Sequence, residues 1–177
     1  MPRIAYRNSE DPEIAELVAS IRARRARGKL INLDLMLLNS PPYARGWNAL
    51  LGAVRRDLSL SARLRELAIC AVARLNDADY EWLQHAPEFL AAGAPQAQLD
   101  ALDDVVAACD DAARFDAAER ATLALTLEMT RVVAVRDETF NRARELIGER
   151  ALVELVGVIA TYNMVSRFLV ALGVEGE

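Results

Sequence analysis

The feature that most constrains the fold of this chain is a stripe of apolar residues at helical spacing near the middle of the sequence. The stripe consists of Leu60, Leu64, Leu67, Ala71 and Leu75. Further apolar residues lie beside it, so the apolar arc is wider than that of a helix with one buried face. We therefore expect this segment to form a central helix with neighbours on several sides.

The rest of the chain also favours helices. Ala, Leu, Arg and Glu are abundant, whereas there are only eight Gly and six Pro, and the alternating pattern of half-buried strands is nearly absent. The predicted class is all-α, with about eight or nine helices. A length of 177 residues without a low-complexity linker predicts one domain over residues 1–177.

Capping residues and breakers place the predicted helix ends. Ser40, followed by two prolines, opens a third helix that should carry Trp47 and Leu50 inward. Ser59 is the expected cap of the fourth, central helix, and Gly93 the end of the fifth. Later helices are expected from residue 116 to about 133, over 137–147, and through the apolar C-terminal segment.

The net charge of −5 argues against a nucleic-acid partner, because neutralising phosphates requires a basic face. The one basic run, RARRARGK at residues 22–29, closes a helix that opens at Asp11 and Pro12 and stops at Gly28. Acidic residues at the beginning and basic residues at the end complement the helix dipole. We interpret the run as a solvated helix end.

The apolar segment 151–173 is long enough to span a membrane, but it contains polar residues: Glu154, Asn163, Ser166 and Arg167. This pattern favours a core or subunit-interface helix, and we predict no membrane association. The N-terminus lacks the apolar run of a signal peptide. Cys70 and Cys109 form no C-x-x-C pair, which is typical of a reduced, cytoplasmic protein.

Candidate chemistry lies on the fifth predicted helix. Ala78, Glu81, Trp82, His85 and Phe89 share one face of that helix. The spacing of four between Glu81 and His85 lets the carboxylate touch the imidazole, fix its tautomer and favour its protonated form. The pair therefore resembles a base and its orienting group, although most pairs at this spacing are surface salt bridges.

Two further acids lie within apolar patterns. Glu66 is the one ionisable residue in a stripe of the fourth helix, so we expect a second carboxylate to face inward. Glu128 is another candidate buried acid, for which the sequence offers no partner. Cys70 follows Glu66 by one turn and is interpreted as a small core residue.

Missing residue types narrow the chemistry further. His85 is the only histidine, so a metal site with several histidines cannot be assembled. Lys29 is the only lysine and lies at a polar helix end, which excludes a buried Schiff-base lysine. Glycine-rich nucleotide motifs are absent. We predict no metal and no cofactor, which leaves proton transfer by carboxylates and one imidazole, or no chemistry.

The run LSLSARLRELAICAVARLNDADYEWLQHAPEFLAAGAP, residues 58–95, resembles the signature of the carboxymuconolactone decarboxylase and alkylhydroperoxidase D family. In the thiol branch of that family, a glutamate precedes the first cysteine of C-x-x-C by twelve positions, and a histidine follows the second cysteine by four. Glu66 and His85 match that register, whereas Ala78 and Glu81 replace the two cysteines. The chain is therefore similar to the non-thiol members.

Two flanking segments agree with this resemblance: residues 37–47 are similar to the family's preceding segment and residues 156–174 to its closing helix. The resemblance implies an all-α fold around an antiparallel helical pair, assembled as a trimer or hexamer. It also implies a small-molecule substrate, such as a carboxylated lactone or a similar unsaturated acid, that is decarboxylated without a cofactor.

On this interpretation His85 is the general acid/base, Glu81 its orienter, and Glu66 a second proton carrier, while Tyr80 and Trp82 line the pocket. One alternative is an alkylhydroperoxidase or peroxiredoxin-type antioxidant activity through Cys70. The other is a non-catalytic oligomer that binds a small molecule and in which the acids and the imidazole only satisfy one another.

Overall fold

A computed structural model describes residues 1–25 and 28–177 of the chain. The described residues contain ten α-helices and no strand, which confirms the predicted all-α class. The helices are α1 (Ala15–Arg24), α2 (Asn32–Leu37), α3 (Pro41–Arg56), α4 (Ala62–Leu75), α5 (Asp79–Ala91), α6 (Gln96–Ala101), α7 (Val105–Ala108), α8 (Ala117–Arg131), α9 (Asp137–Ile147) and α10 (Glu149–Leu172).

These residues form two compact units. The first unit comprises residues 1–58 together with 169–177, and the second comprises residues 59–168. Helices α1 to α3 belong to the first unit and α4 to α9 to the second, while α10 contributes residues to both. All five candidate site residues predicted from the sequence lie in the second unit.

In the first unit, α1 and α2 both pack against α3. Trp47 on α3 is buried as predicted, but the inward position predicted for Leu50 is wrong, since Leu50 is 43% exposed. The buried stripe of α3 instead continues through Leu51 and Val54, and Leu50 lies at its exposed edge. The predicted end of the first helix covers residues 26 and 27, which lie outside the described residues.

In the second unit, α4 is the central helix that its wide apolar arc predicted. Residues 67–73 are each at most 1% exposed, and α4 packs against both α5 and α8. Only residues 76–78 separate α4 from α5, so the chain reverses and the two helices form a hairpin. This hairpin holds Glu66 on one helix and His85 on the other.

The ends of the hairpin helices show one correct and one wrong prediction. Gly93 follows the end of α5 with φ +92°, a left-handed conformation that favours glycine. The N-cap of α4 is Ser61, whose side chain accepts a hydrogen bond from the backbone N–H of Leu64. Ser59, the predicted cap, instead donates its hydroxyl to Glu154 at 2.9 Å.

Helix α10 supplies core residues to the second unit. Leu155, Val158, Ile159 and Tyr162 are all fully buried. Within the described parts of the chain, α10 is a helix whose length and composition alone would allow a membrane span, and 44% of its most apolar window is buried inside the protein. Val153 on the same helix is 72% exposed.

Candidate functional site

The centre of the candidate site is a hydrogen bond between the two helices of the hairpin. Nδ1 of His85 on α5 lies 2.7 Å from Oε2 of Glu66 on α4. Both side chains are buried, with 6% of the His85 side chain and 8% of the Glu66 side chain exposed. The packing of α4 against α5 thus brings together two of the residues that the sequence predicted.

The second oxygen of Glu66 is also occupied. Nε of Arg65 donates a hydrogen bond to Oε1 at 3.0 Å. Burial alone would raise the pKa of Glu66, but the hydrogen bond and charge of His85, helped by Arg65, hold that pKa below its ordinary value of 4.5. Glu66 is therefore a carboxylate at neutral pH. Nδ1 of His85 carries a proton and donates the hydrogen bond to Glu66.

Tyr162 of α10 fixes the plane of the imidazole. The two rings meet edge to face, with their centroids 4.9 Å apart and an interplanar angle of 87°. Tyr162 is fully buried, so it cannot move aside without opening the core. The ring of His85 is thus held by a carboxylate on one helix and an aromatic ring on another.

Glu81, the other predicted acid, is 1% exposed and lies beside α10. Oγ of Ser166 lies 3.2 and 3.1 Å from the two oxygens of Glu81, and 2.8 Å from the carbonyl oxygen of Tyr162. A hydroxyl has one proton, so Ser166 donates to one of these acceptors at a time. Glu81 is therefore tied to the same turn of α10 as the aromatic partner of His85.

The carboxylate that is hydrogen-bonded to the imidazole of His85 in the structure is that of Glu66. The sequence predicted a different role for Glu66, that of a second proton carrier. The role of Glu81 as the orienter of His85 stays a prediction. The two carboxylates and the imidazole are nevertheless neighbours in one buried cluster, because α10 packs its Tyr162 and Ser166 against them.

The residues predicted to line the pocket have different surroundings. Tyr80 is 7% exposed. Trp82 is half-buried, and the guanidinium of Arg74 lies over its ring, 3.5 Å from the centroid. Arg74 also forms an ion pair with Asp103 at 2.7 Å. Substrate binding by Tyr80 and Trp82 stays a prediction.

The cysteines lack the properties of reactive thiols. Cys70 is fully buried, and burial raises the pKa of its thiol far above the ordinary value, with the charges of Glu66 and Glu81 adding to the effect. Burial also raises the pKa of Cys109 to about 11. Because the thiolate is the nucleophile, neither cysteine is activated for attack.

Sequence reasoning missed three residues of the cluster, Arg65, Tyr162 and Ser166. The only signal for the last two was their spacing of one helical turn within an apolar helix. Glu128, for which the sequence offered no partner, accepts hydrogen bonds from Arg136 and Thr139. Within residues 1–25 and 28–177, no three His, Cys, Asp or Glu side chains are grouped so that they could hold a metal ion.

Solved structures with the same fold are found at low sequence identity. An uncharacterised peroxidase-related protein from Silicibacter sp. TM1040 is 16% identical, with a TM-score of 0.80, and the match covers 99% of this chain and 92% of that one. An AhpD-core, peroxidase-related protein from Ralstonia eutropha JMP134 gives 18% identity, a TM-score of 0.80 and the same coverages.

A third structure is the debrominase Bmp8 in complex with 2,3,4-tribromopyrrole. It is 16% identical, with a TM-score of 0.77, and the match covers 99% of this chain and 90% of that one. At these identities the likeness shows the shared fold. It carries no activity over to this chain.

No curated protein matches the sequence. The sequence pattern of the carboxymuconolactone decarboxylase family matches residues 41–124, a range that contains the whole α4–α5 hairpin. Both Glu66 and His85 lie inside it. By this match, and by an AhpD-like fold along nearly its full length, the chain is similar to the carboxymuconolactone decarboxylase family.

Proposed function

We propose that this protein is a cofactor-free small-molecule enzyme in which His85 transfers a proton and Glu66 positions it. The observation that carries the proposal is the 2.7 Å hydrogen bond between these two buried side chains. Burying an ionised carboxylate costs solvation free energy. Apolar residues of the same volume often stabilise a core at least as much as a buried charged pair does, so stability alone does not account for this pair. A buried acid–imidazole pair in a chain similar to a family of enzymes is therefore a candidate for chemistry.

On this proposal each ring nitrogen of His85 has a separate role. Nδ1 is engaged by Glu66, whose carboxylate stabilises the imidazolium form. A proton exchanged with a substrate therefore passes through Nε2. Glu66 acts on the substrate through His85, so it is a positioning residue, and Glu81 is a second carboxylate that can face a bound ligand.

The reaction class that suits this site is decarboxylation of a carboxylated lactone or a similar unsaturated acid. The bond between the carboxylate and its carbon breaks, carbon dioxide leaves, and the electron pair moves into the conjugated carbonyl system. The imidazolium of His85 then delivers a proton to carbon and is recharged by a proton from solvent. No external oxidant or reductant is needed, in keeping with a cofactor-free site.

A peroxidase-type activity is the in-class alternative, and two structural neighbours are described as peroxidase-related proteins. It would need a reactive thiol, and burial holds the pKa of Cys70 far too high for a thiolate. A non-catalytic oligomer is the alternative from another class. This alternative predicts that substitutions of Glu66, Glu81 or His85 change the stability of the protein and do not change any turnover.

We also propose that the protein is a cytoplasmic homo-oligomer, either a trimer or a hexamer. In support of this, large apolar side chains lie exposed on the second unit, among them Leu83 on the helix of His85, at 63%, and Val153 at 72%. A neighbouring subunit packed on such residues would exclude water close to the site.

The decisive experiment is a screen of carboxylated lactones and unsaturated carboxylic acids for release of carbon dioxide by the full chain. A substrate should be turned over by the native protein and about a hundredfold more slowly by His85→Gln. Arg142→Gln, a change of an exposed residue on α9, is the control that should retain native turnover. If His85→Gln keeps its native rate and only unfolds more easily, the cluster is structural.

A further inference from the structure

A second candidate site lies in the first unit, separate from the hairpin of His85. It is a cleft of about 460 Å³ between α1 and α3. Arg24 of α1 and Arg45 and Arg56 of α3 contribute guanidinium groups to its lining, together with the polar side chains of Ser20 and Asn48. We call it the arginine cleft.

Arg24 is the buried member of this lining. Only 6% of its side chain is exposed, its Nε donates to Oδ1 of Asn48, and its Nη2 lies 3.5 Å from Oδ1 of Asp34. Asp34 is more closely engaged by Arg25, whose Nε and Nη2 donate to its two oxygens at 2.8 and 2.7 Å. One buried carboxylate therefore serves two guanidinium groups.

The positive charge around Arg24 exceeds the negative charge available to balance it. Burial, followed by the charge of Arg25, lowers the pKa of Arg24 to about 10, with Arg55 and Arg56 adding to the effect while Asp34 opposes it. Among the described lining residues the one carboxylate is Asp57. This concentration of cations stands out in a chain whose net charge is −5.

Gly52 of α3 lets two arginine side chains lie against the wall of the cleft. A Cβ atom added to Gly52 would lie 3.5 Å from Nη2 of Arg56 and 3.9 Å from Cδ of Arg24, which are ordinary contact distances. Both arginine side chains therefore flank Gly52. A side chain longer than that of alanine would compete with them for the same space.

We propose that the arginine cleft binds a small, multiply charged oxyanion whose phosphate or carboxylate groups pair with Arg24, Arg45 and Arg56. Guanidinium groups match the planar, bidentate geometry of carboxylate and phosphate oxygens. A volume of about 460 Å³ is within the range of small-molecule sites. An ion there would add negative charge to a cluster in which Arg24 shares the carboxylate of Asp34 with Arg25.

Isothermal titration calorimetry on the full chain tests this proposal, with pyrophosphate as the phosphate probe and citrate as the carboxylate probe. At low salt, one of the two should bind with a dissociation constant below about 1 mM, and added NaCl should weaken it. The better probe identifies the natural anion as phosphate- or carboxylate-bearing. No heat from either probe would overturn the proposal.

Two substitutions of exposed arginines locate the bound ion. Arg45→Gln and Arg56→Gln should each weaken binding about tenfold, because each removes a charge-assisted hydrogen bond. Arg142→Gln on α9 removes the same charge from an exposed side chain of the second unit and should leave binding unchanged. Equal loss in all three variants would show attraction to overall charge and would overturn the assignment to the cleft.

A third substitution tests the space without changing the charge. Gly52→Leu places a side chain between Arg24 and Arg56 and should abolish binding, while its melting temperature shows that the chain is folded. A folded Gly52→Leu variant that binds as tightly as the native protein would mean that the anion lies outside the cleft, and the proposal would fail.

Discussion

Nδ1 of His85 lies 2.7 Å from Oε2 of Glu66, although 19 residues separate the two in sequence. The bond crosses from α5 to α4, so it exists only when the hairpin is packed. It couples the ionisation of Glu66 and of the imidazole to the fold of the second unit. Each of the first two predictions below depends on this coupling.

The first prediction concerns the weight of the two carboxylates in catalysis. Glu66→Gln should lower turnover about a hundredfold, close to the effect of His85→Gln, because the amide cannot stabilise the imidazolium as a carboxylate does. Glu81→Gln should have a smaller effect if Glu66 alone orients the ring. Steady-state turnover of a substrate found by the carbon dioxide screen provides the measurement.

Glu119→Gln is the matched control for that comparison. Glu119 is also a buried carboxylate with an arginine partner, since Nε of Arg63 donates to its Oε1 at 2.6 Å, but it caps α8 and is not part of the His85 cluster. It should lower the melting temperature and leave turnover per folded molecule unchanged. Equal losses of turnover in Glu66→Gln and Glu119→Gln would indicate a stability effect and contradict the positioning role.

The sequence predicted those parts of the fold that depend on local spacing. Helix α9 matches its predicted range, Asp137–Ile147, and α8 begins one residue after its predicted start at Asp116, which is its N-cap. Apolar periodicity and capping depend on residues within a few helical turns of each other, so both can be recognised in the sequence without the tertiary structure.

Tertiary partners were not predictable in this way. Ser166 reaches Glu81 across 85 residues, and the partner of Ser59 is Glu154, 95 residues later. Helical spacing placed Glu81 next to His85 on α5, but it could not show which face of α4 packs there. That packing makes Glu66 the observed partner of the His85 ring.

The second prediction is a change of stability with acid. The pKa of Glu66 is below 4.5 in the folded protein, so its contribution to stability is full above about pH 4.5 and is lost as the pH falls through the lower folded value. The difference in unfolding free energy between the native protein and Glu66→Gln should therefore be largest at neutral pH and shrink in acid. Urea unfolding at a series of pH values measures it.

Glu145→Gln is the reference for the acid series, because the Glu145 side chain is 67% exposed. Its unfolding free energy should follow that of the native protein at every pH. A difference for Glu66→Gln that stays constant from neutral pH to pH 3 would mean that the carboxylate is not held by its partners in the folded state.

The third prediction concerns the thiols. Because burial raises the pKa of Cys70 far above its ordinary value and that of Cys109 to about 11, neither should react quickly with a disulfide reagent in the folded protein at neutral pH. Unfolding in urea should release both at once. The double variant Cys70→Ala/Cys109→Ala should keep native turnover, and a folded double variant without activity would revive the antioxidant alternative.

The fourth prediction concerns assembly through α10. Val153 is 72% exposed in the isolated chain, and an apolar side chain on this helix is stabilised if a second subunit covers it. Light scattering should show a trimer or hexamer at micromolar concentration, and Val153→Lys should shift the mass toward the monomer because it would bury an unpaired charge at the contact. Glu149→Lys, at an exposed position one turn earlier on α10, introduces the same side chain and should leave the mass unchanged.

A native protein that is monomeric at micromolar concentration would contradict assembly altogether. An oligomer that tolerates Val153→Lys would place the contact on another surface, such as the one around Leu83.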